Sequence, residues 1–228
     1  MQLNGLTLAP LSGGKPLSIV VLLHGVAAYG HDLRDLARAW QEFLPEAEFI
    51  APDAPFPCDY APFGRQWFSL QDRAPEKLLA GLRKASLILD AFFDGLLASR
   101  GLNDSRLALA GFSQGAAAAL FAGLTRRKQL AGIVAFSGAL PGSASFQKEI
   151  ISKPPVLLVH GEEDNVVPFA SMASAKGVLE AAGVKVRAVA RPGLGHAIDE
   201  AGIALGGNFL CEVLGARPSP AHSSWTPY

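Results

Sequence analysis

Cysteine is scarce: Cys58 and Cys211 are the only two in 228 residues. That is too few for a disulfide framework or a cysteine-built metal site, and two free thiols are a simpler reading than one bridge. An excess of one charge is also missing, because twenty basic residues balance twenty acidic ones. No overall field therefore favours nucleic acid, an anionic membrane surface or a strongly charged small molecule. Long apolar runs are absent near the start, where the longest, Ile19 to Leu23, ends at His24 and Gly25 and is too short to cross a bilayer. The opening MQLNGLTLAPLSGGKPLS lacks a basic segment followed by an apolar stretch, so a cytoplasmic protein without stable membrane insertion is expected.

Half of the residues are apolar, which suits one domain with a sizeable core over 1–216 and a Pro/Ser-rich, poorly ordered tail over 217–228. Strand-length apolar runs occupy Leu17 to Leu23, Glu48 to Ala51, Arg106 to Ala110, Gly132 to Phe136, Val156 to Val159 and Val184 to Ala190. Several are almost wholly apolar, the pattern of strands covered on both faces in a mostly parallel sheet. Between them, Asp32 to Phe43, Pro75 to Ser99, Ser113 to Thr125, Pro168 to Ala182 and His196 to Leu214 carry apolar residues at helical spacing. The alternation predicts an α/β fold with helices on both faces of the sheet. Pro52 to Pro75, rich in proline and aromatics, reads as a long surface loop.

Gly111-Phe112-Ser113-Gln114-Gly115 stands where a predicted strand meets a predicted helix. In that context G-x-S-x-G is a nucleophile elbow, a sharp strained turn that lifts a serine hydroxyl off the sheet. The residues two before and two after must be small for strand and helix to approach, and Gly111 and Gly115 are. A flexible loop could carry the same five residues, but it would not sit between a strand and a helix.

A serine hydroxyl needs a base, and the base needs a third group to hold its tautomer. In such folds the order is Ser, then Asp or Glu, then His. His196, in a glycine-rich loop after the last predicted strand, fits the base better than His160, which closes a buried strand, or His222 in the tail. Glu162, Glu163 and Asp164 are the candidate acids. A carboxylate in such a turn is ordinarily a cap or turn former. Asp164 is favoured because its short side chain, near the helix start at Val167-Pro168, is better fixed. Asp199 and Glu200 read as complements to the dipole of the last helix.

The developing oxyanion needs two N–H donors. Gln114 offers one, and Val26, after the His24-Gly25 pair that follows the first long strand, is the candidate for the second. The His24 to Gly30 loop lacks both G-x-G-x-x-G spacing and a Gly-Lys-Ser/Thr ending, so it is not read as a phosphate cradle. His160 with its neighbouring carboxylates could be imagined as a metal site, but no second histidine stands at zinc spacing. No metal or other cofactor is expected.

LLHG at Leu22 to Gly25, GFSQG at Gly111 to Gly115, FSG at Phe136 to Gly138, HGEEDNVVP at His160 to Pro168 and GLGH at Gly193 to His196 together resemble the small carboxylesterase and acyl-protein thioesterase family, the phospholipase/carboxylesterases of the α/β-hydrolase superfamily. The likeness spans about residues 15–210. It implies the α/β-hydrolase fold, a triad of Ser113, Asp164 and His196, an oxyanion hole of Val26 and Gln114, and hydrolysis of carboxylic esters or thioesters with short to medium acyl chains. Acyl-protein thioesterase or lysophospholipase activity is the alternative within the family. RQWFSL at Arg65 to Leu70 resembles the family's tryptophan segment beside the acyl groove, making Trp67, Phe68 and Phe63 candidate substrate contacts; by itself Trp67 reads more readily as a core aromatic, and the resemblance brings the two readings level. The chain departs from the family where Ala27 replaces the usual glycine and Ala28 stands where some members carry aspartate.

A catalytically silent ligand-binding relative would be expected to lack a triad member, and all three are present. Only Ala139 to Pro155 separates two predicted strands, too little for a large cap domain. The expected partner is a small-molecule ester or thioester, with homodimerisation left open.

Overall fold

The computed structural model describes residues 3–140 and 143–216. The tail anticipated over 217–228 lies outside them. The described residues form nine strands: β1 (Gly5–Leu8), β2 (Ser18–Leu23), β3 (Ala47–Pro52), β4 (Phe56–Pro57), β5 (Arg65–Gln66), β6 (Leu107–Phe112), β7 (Gly132–Phe136), β8 (Val156–Gly161) and β9 (Val186–Arg191). Seven build one sheet in the order β1-β3-β2-β6-β7-β8-β9, parallel throughout except for β1, which runs antiparallel to β3. The helices are α1 (Arg34–Phe43), α2 (Pro75–Arg100), α3 (Gln114–Thr125), the short α4 (Ser143–Gln147), α5 (Ala170–Ala181) and α6 (Glu200–Leu214).

The apolar strands are buried on both sides, as their composition requires. On β2, Ile19, Val21 and Leu23 join the core under α2 and α3, whereas Val20 and Leu22 join the core under α1 and α6. Alternate residues of β6 and β7 divide in the same way, Leu109 and Ile133 to one face, Ala110 and Val134 to the other. Each fully buried Leu, Ile or Val side chain contributes roughly 1.5–3 kcal/mol, so the central strands hold both helical layers to one sheet. Arg126, just past α3, adds a polar tie, reaching Asp90 and Asp94 of α2 and Asp104 at 2.9, 2.6 and 2.7 Å.

Several boundaries differ from expectation for local reasons. Strand β1 was not anticipated, since GLTL is half exposed at the sheet edge and too short to show a periodicity. The last helix begins at Glu200 rather than His196, because the Asp199 carboxylate accepts the Gly202 N–H and caps it there. The Pro52 to Pro75 stretch is not simply a surface loop. It contains the β4–β5 hairpin and buries Gln66, Trp67 and Phe68. Between β7 and β8 the described residues hold only α4, in keeping with the absence of a large cap.

Candidate active site

Ser113 connects β6 to α3 with φ 55° and ψ −118°, a conformation an L-residue adopts only when its surroundings impose it. Those surroundings are backbone. A Cβ on Gly111 would lie 2.3 Å from the Gly115 carbonyl, and one on Gly115 would lie 2.0 Å from the Leu23 carbonyl. The expected need for small residues on both sides is met, and the end of β2 is pressed directly onto the elbow.

The segment after β2 is shaped by His24. Its Nδ1–H donates to the Gly25 carbonyl at 2.7 Å and its Nε2 accepts the Ala54 N–H at 3.0 Å, so both nitrogens of a neutral ring are used. Burial lowers its pKa, against the opposing pull of the Gly25 hydrogen bond, and keeps the ring neutral. Pinning the Gly25 carbonyl also orients the peptide plane it shares with Val26, turning the Val26 N–H the opposite way. That N–H has no protein partner among the described residues. Gly25 itself lies against Ser113, with a Cβ placed on it 3.5 Å from the Ser113 Cβ. Ala27, where the family usually has glycine, takes the left-handed conformation at φ 63°. A residue with a Cβ thus holds a conformation that glycine adopts without strain. Ala27 N–H donates to the Arg65 carbonyl at 2.9 Å and Arg65 N–H to the Ala28 carbonyl at 3.0 Å, fastening this turn to β5.

The Gln114 backbone N–H, at the first turn of α3, is the second donor without an intrahelical acceptor. Its side chain does a separate job that the sequence did not reveal. Oε1 accepts the Trp67 N–H at 2.9 Å and Nε2 donates to the Phe68 carbonyl at 2.8 Å. These bonds draw the aromatic segment inward, and Trp67 and Phe68 are only 0% and 4% exposed. Trp67, with no exposed surface, is packed as a core aromatic, and Phe68 keeps only a sliver of surface for the substrate contact expected of it. The Trp67 indole N–H donates to the His24 carbonyl, supporting the segment that leads to Val26. Phe63, at the tip of the β4–β5 hairpin, is 63% exposed.

Of the three neighbouring carboxylates, Asp164 is brought to His196, and Glu162 and Glu163 are exposed. Asp164 Oδ1 accepts the N–H groups of Val166 and Val167 at 3.0 and 2.8 Å; Oδ2 accepts His196 Nδ1–H at 2.8 Å. Burial works to raise the Asp164 pKa, but the hydrogen bonds from His196, Val167 and Val166 outweigh it and hold the carboxyl below its ordinary range. The Ser137 hydroxyl forms no well-aligned hydrogen bond, yet it lies close enough to pull in the same direction. Two backbone bonds tie the acid turn to the histidine loop, Glu162 N–H to Arg191 O at 3.0 Å and Glu163 N–H to Leu194 O at 2.9 Å. The ends of that loop are joined by Arg191 and Asp199, whose closest contact is 2.8 Å. Asp199 therefore does more than complement a dipole. The His196 ring lies 4.7 Å from that of Phe112, the residue before Ser113, with the two planes tilted by 41°. Neither His196 Nε2 nor Ser113 Oγ has a protein partner among the described residues.

A concavity of about 710 Å³ lies elsewhere, between β1 and α2, lined by residues such as Leu3, Ile50, Phe92 and Leu96. Its charged residue Arg100 is engaged by Glu48, and it holds no nucleophile and base. Among the described residues no group of three or more His, Cys, Asp or Glu side chains could hold a metal ion, and no helix is long and apolar enough to cross a membrane.

The profile of the phospholipase/carboxylesterase family matches residues 11–213. An acyl-protein thioesterase 1 from Neurospora crassa is 31% identical over 194 residues, 78% of this chain and 79% of the relative. A probable carboxylesterase of the SOBER1-like type from Arabidopsis thaliana is 31% identical over 197 residues, 79% of this chain and 73% of the relative. Among solved structures, the esterase PE8 is 40% identical with a TM-score of 0.88, covering 94% of this chain and all of its own.

Proposed function

Because the chain belongs to the phospholipase/carboxylesterase family, we propose a reading of its site in which Ser113, His196 and Asp164 hydrolyse a small carboxylic ester or thioester through an acyl-enzyme. The protein is a serine hydrolase of the ester-cleaving kind, and carboxylesterases and acyl-protein thioesterases are its relatives. The observation that carries the assignment of residues is the 2.8 Å contact between Asp164 Oδ2 and His196 Nδ1, beside a strained serine elbow.

With Nδ1–H held by the carboxylate, the lone pair of the imidazole resides on Nε2. That nitrogen takes the Ser113 proton as Oγ bonds to the substrate carbonyl carbon, and the carbonyl oxygen becomes an oxyanion. The N–H groups of Val26 and Gln114 receive it. Their value is preorganisation: each is fixed before substrate arrives, and loss of one such donor costs ~3–4 kcal/mol in the transition state. Collapse of the intermediate breaks the bond to the alcohol or thiol, which leaves with the proton from Nε2. Water then gives a proton to Nε2 as its oxygen bonds to the acyl carbon, and collapse of that second intermediate releases the acid while Nε2 returns the proton to Ser113 Oγ.

Thioesters fit the same steps, since a thiol leaves without needing strong acid assistance, and the thioesterase relatives support that arm. The test is labelling with a fluorophosphonate followed by mass mapping, alongside a panel of p-nitrophenyl esters and acyl thioesters. A single adduct on Ser113 with loss of turnover is expected. Full activity after stoichiometric labelling of another residue overturns the reading.

A further inference from the structure

His160 closes β8, is 2% exposed and has no place in the reaction as written. Its Nε2 lies 2.9 Å from the Val167 carbonyl and 3.3 Å from Asp164 Oδ2. A carbonyl only accepts, so Nε2 carries the hydrogen, and the positive end of that N–H lies against the same carboxylate oxygen that receives His196 Nδ1–H. Asp164 Oδ2 is thus held between two imidazoles in a place with no solvent exposure. We propose that His160 is a positioning residue for the Asp164–His196 pair, holding the carboxylate at its hydrogen-bonded angle and drawing off part of its negative charge. The inference rests on the reading of Asp164 and His196 given above.

The geometry on the far side of Asp164 explains why a second donor is useful. Oδ1 is fixed by two backbone N–H groups, whereas the hydrogen bond to Oδ2 comes from His196, on the loop that follows β9. His160 sits on the central sheet, between β7 and β9, with its ring edge-on to Phe169 at 6.0 Å. The part of Oδ2's environment that it supplies does not move with the histidine loop.

The charge effect has a definite sign. An N–H dipole against Oδ2 weakens the field the carboxylate exerts on His196, and less field stabilises the imidazolium less. Removing that dipole makes Asp164 a stronger partner, and His196 then protonates at higher pH. The other groups around the pair do not confuse the readout. Among the described residues, the Ser137 hydroxyl comes from just past β7; at the end of β9, Arg191 is engaged by Asp199; and Glu162 and Glu163 of the same turn are exposed.

The test compares His160→Phe, which keeps a ring but no donor, with His160→Gln, whose amide nitrogen reaches the position of Nε2. Both are assayed for kcat/KM between pH 5 and 9 on a p-nitrophenyl ester, with thermal melting beside them. For His160→Phe the acidic limb is expected to move up by about half a pH unit or more, with kcat down by roughly tenfold and KM little changed. His160→Gln is expected to restore most of both. Should His160→Phe not fold, His160→Asn, too short to reach Oδ2, takes its place. A folded Phe or Asn variant with an unmoved acidic limb overturns the proposal, as does a Gln variant indistinguishable from them. Failure of the parent reading is separate: there Asp164→Asn would itself retain wild-type turnover.

Discussion

The Trp67 indole N–H donates to the His24 carbonyl at 2.9 Å, with the two rings 5.4 Å apart, so the aromatic segment and the strand end that precedes Val26 are held as one unit. The same tryptophan's backbone N–H is held by Gln114 of the elbow. Both proposed oxyanion donors are thereby braced through one buried residue.

Trp67→Phe removes the indole donor and leaves the buried His24 carbonyl unpaired, a loss of about 1–3 kcal/mol by the cost of an unsatisfied buried group. The larger functional consequence is expected in kcat, roughly tenfold down, because a loosened Val26 N–H stabilises the transition state more than the bound substrate. Steady-state kinetics with chemical denaturation check this. A KM increase with unchanged kcat would instead return Trp67 to the substrate groove.

Ser113→Ala and His196→Ala are each expected to lower ester turnover on the order of 10⁴-fold or more, because the three groups act as a unit. Asp164→Asn should lose somewhat less, and Glu163→Gln should resemble wild type, since its side chain is exposed. The Asp164 carboxyl is held below its ordinary range, so it stays ionised through the neutral region. Loss of rate on acidification should therefore report protonation of the base rather than of the Asp164 carboxylate. A rate maximum near pH 4 would sink the assignment of His196 as base.

Most of the sheet could be read from composition alone. Val20 to Leu23, Leu107 to Ala110 and Val156 to Val159 are apolar at every position, and only burial on both faces accommodates that. The elbow was legible because Gly111 and Gly115 are demanded by backbone contact, a requirement written in two letters. The Trp67 and Phe68 positions were not, because their direction depends on the Gln114 amide, which lies 47 residues from Trp67 and leaves no periodic trace. The His160 contact was hidden differently: a histidine at a strand end looks the same whether its Nε2 meets a carbonyl or a carboxylate.

Ala27 holds φ 63° at a position where glycine would be unstrained. The left-handed conformation costs a Cβ-bearing residue about 1–2 kcal/mol, and glycine's greater freedom in the unfolded chain returns about 0.4–1 kcal/mol of that. Ala27→Gly is therefore expected to raise stability by roughly 0.5–1 kcal/mol without reducing kcat, measured as a higher denaturation midpoint. Gly64→Ala is the opposite case. A Cβ on residue 64 would lie 2.2 Å from the Ala27 carbonyl and its φ is +76°, so the contact between hairpin and Ala27 turn would have to open. A clear loss of both stability and kcat is expected there.

With Trp67 and Phe68 buried, the exposed aromatic surface next to this turn belongs to Phe63 and Tyr60, 63% and 57% exposed. Phe63 immediately precedes Gly64, whose backbone packs on Ala27, so residue 63 lies in the chain next to the proposed oxyanion turn. An acyl chain leaving the Ser113 carbonyl along that side would gain at most about 0.8 kcal/mol per methylene covered, about fourfold in kcat/KM. The rate on p-nitrophenyl esters should then climb from acetate through medium chains and level off once the chain passes the ring. Phe63→Ala should flatten that climb while leaving the acetate rate within about twofold, since acetate has no methylene to bury. Between β7 and β8 the described residues hold only the five-residue α4, too small to cover the serine and be drawn aside by a lipid surface. Following the longer esters across their aggregation threshold separates these ideas: a smooth profile agrees with an open groove, whereas a sharp rate jump at the threshold would require a mobile cover and remove Phe63 from the role given to it.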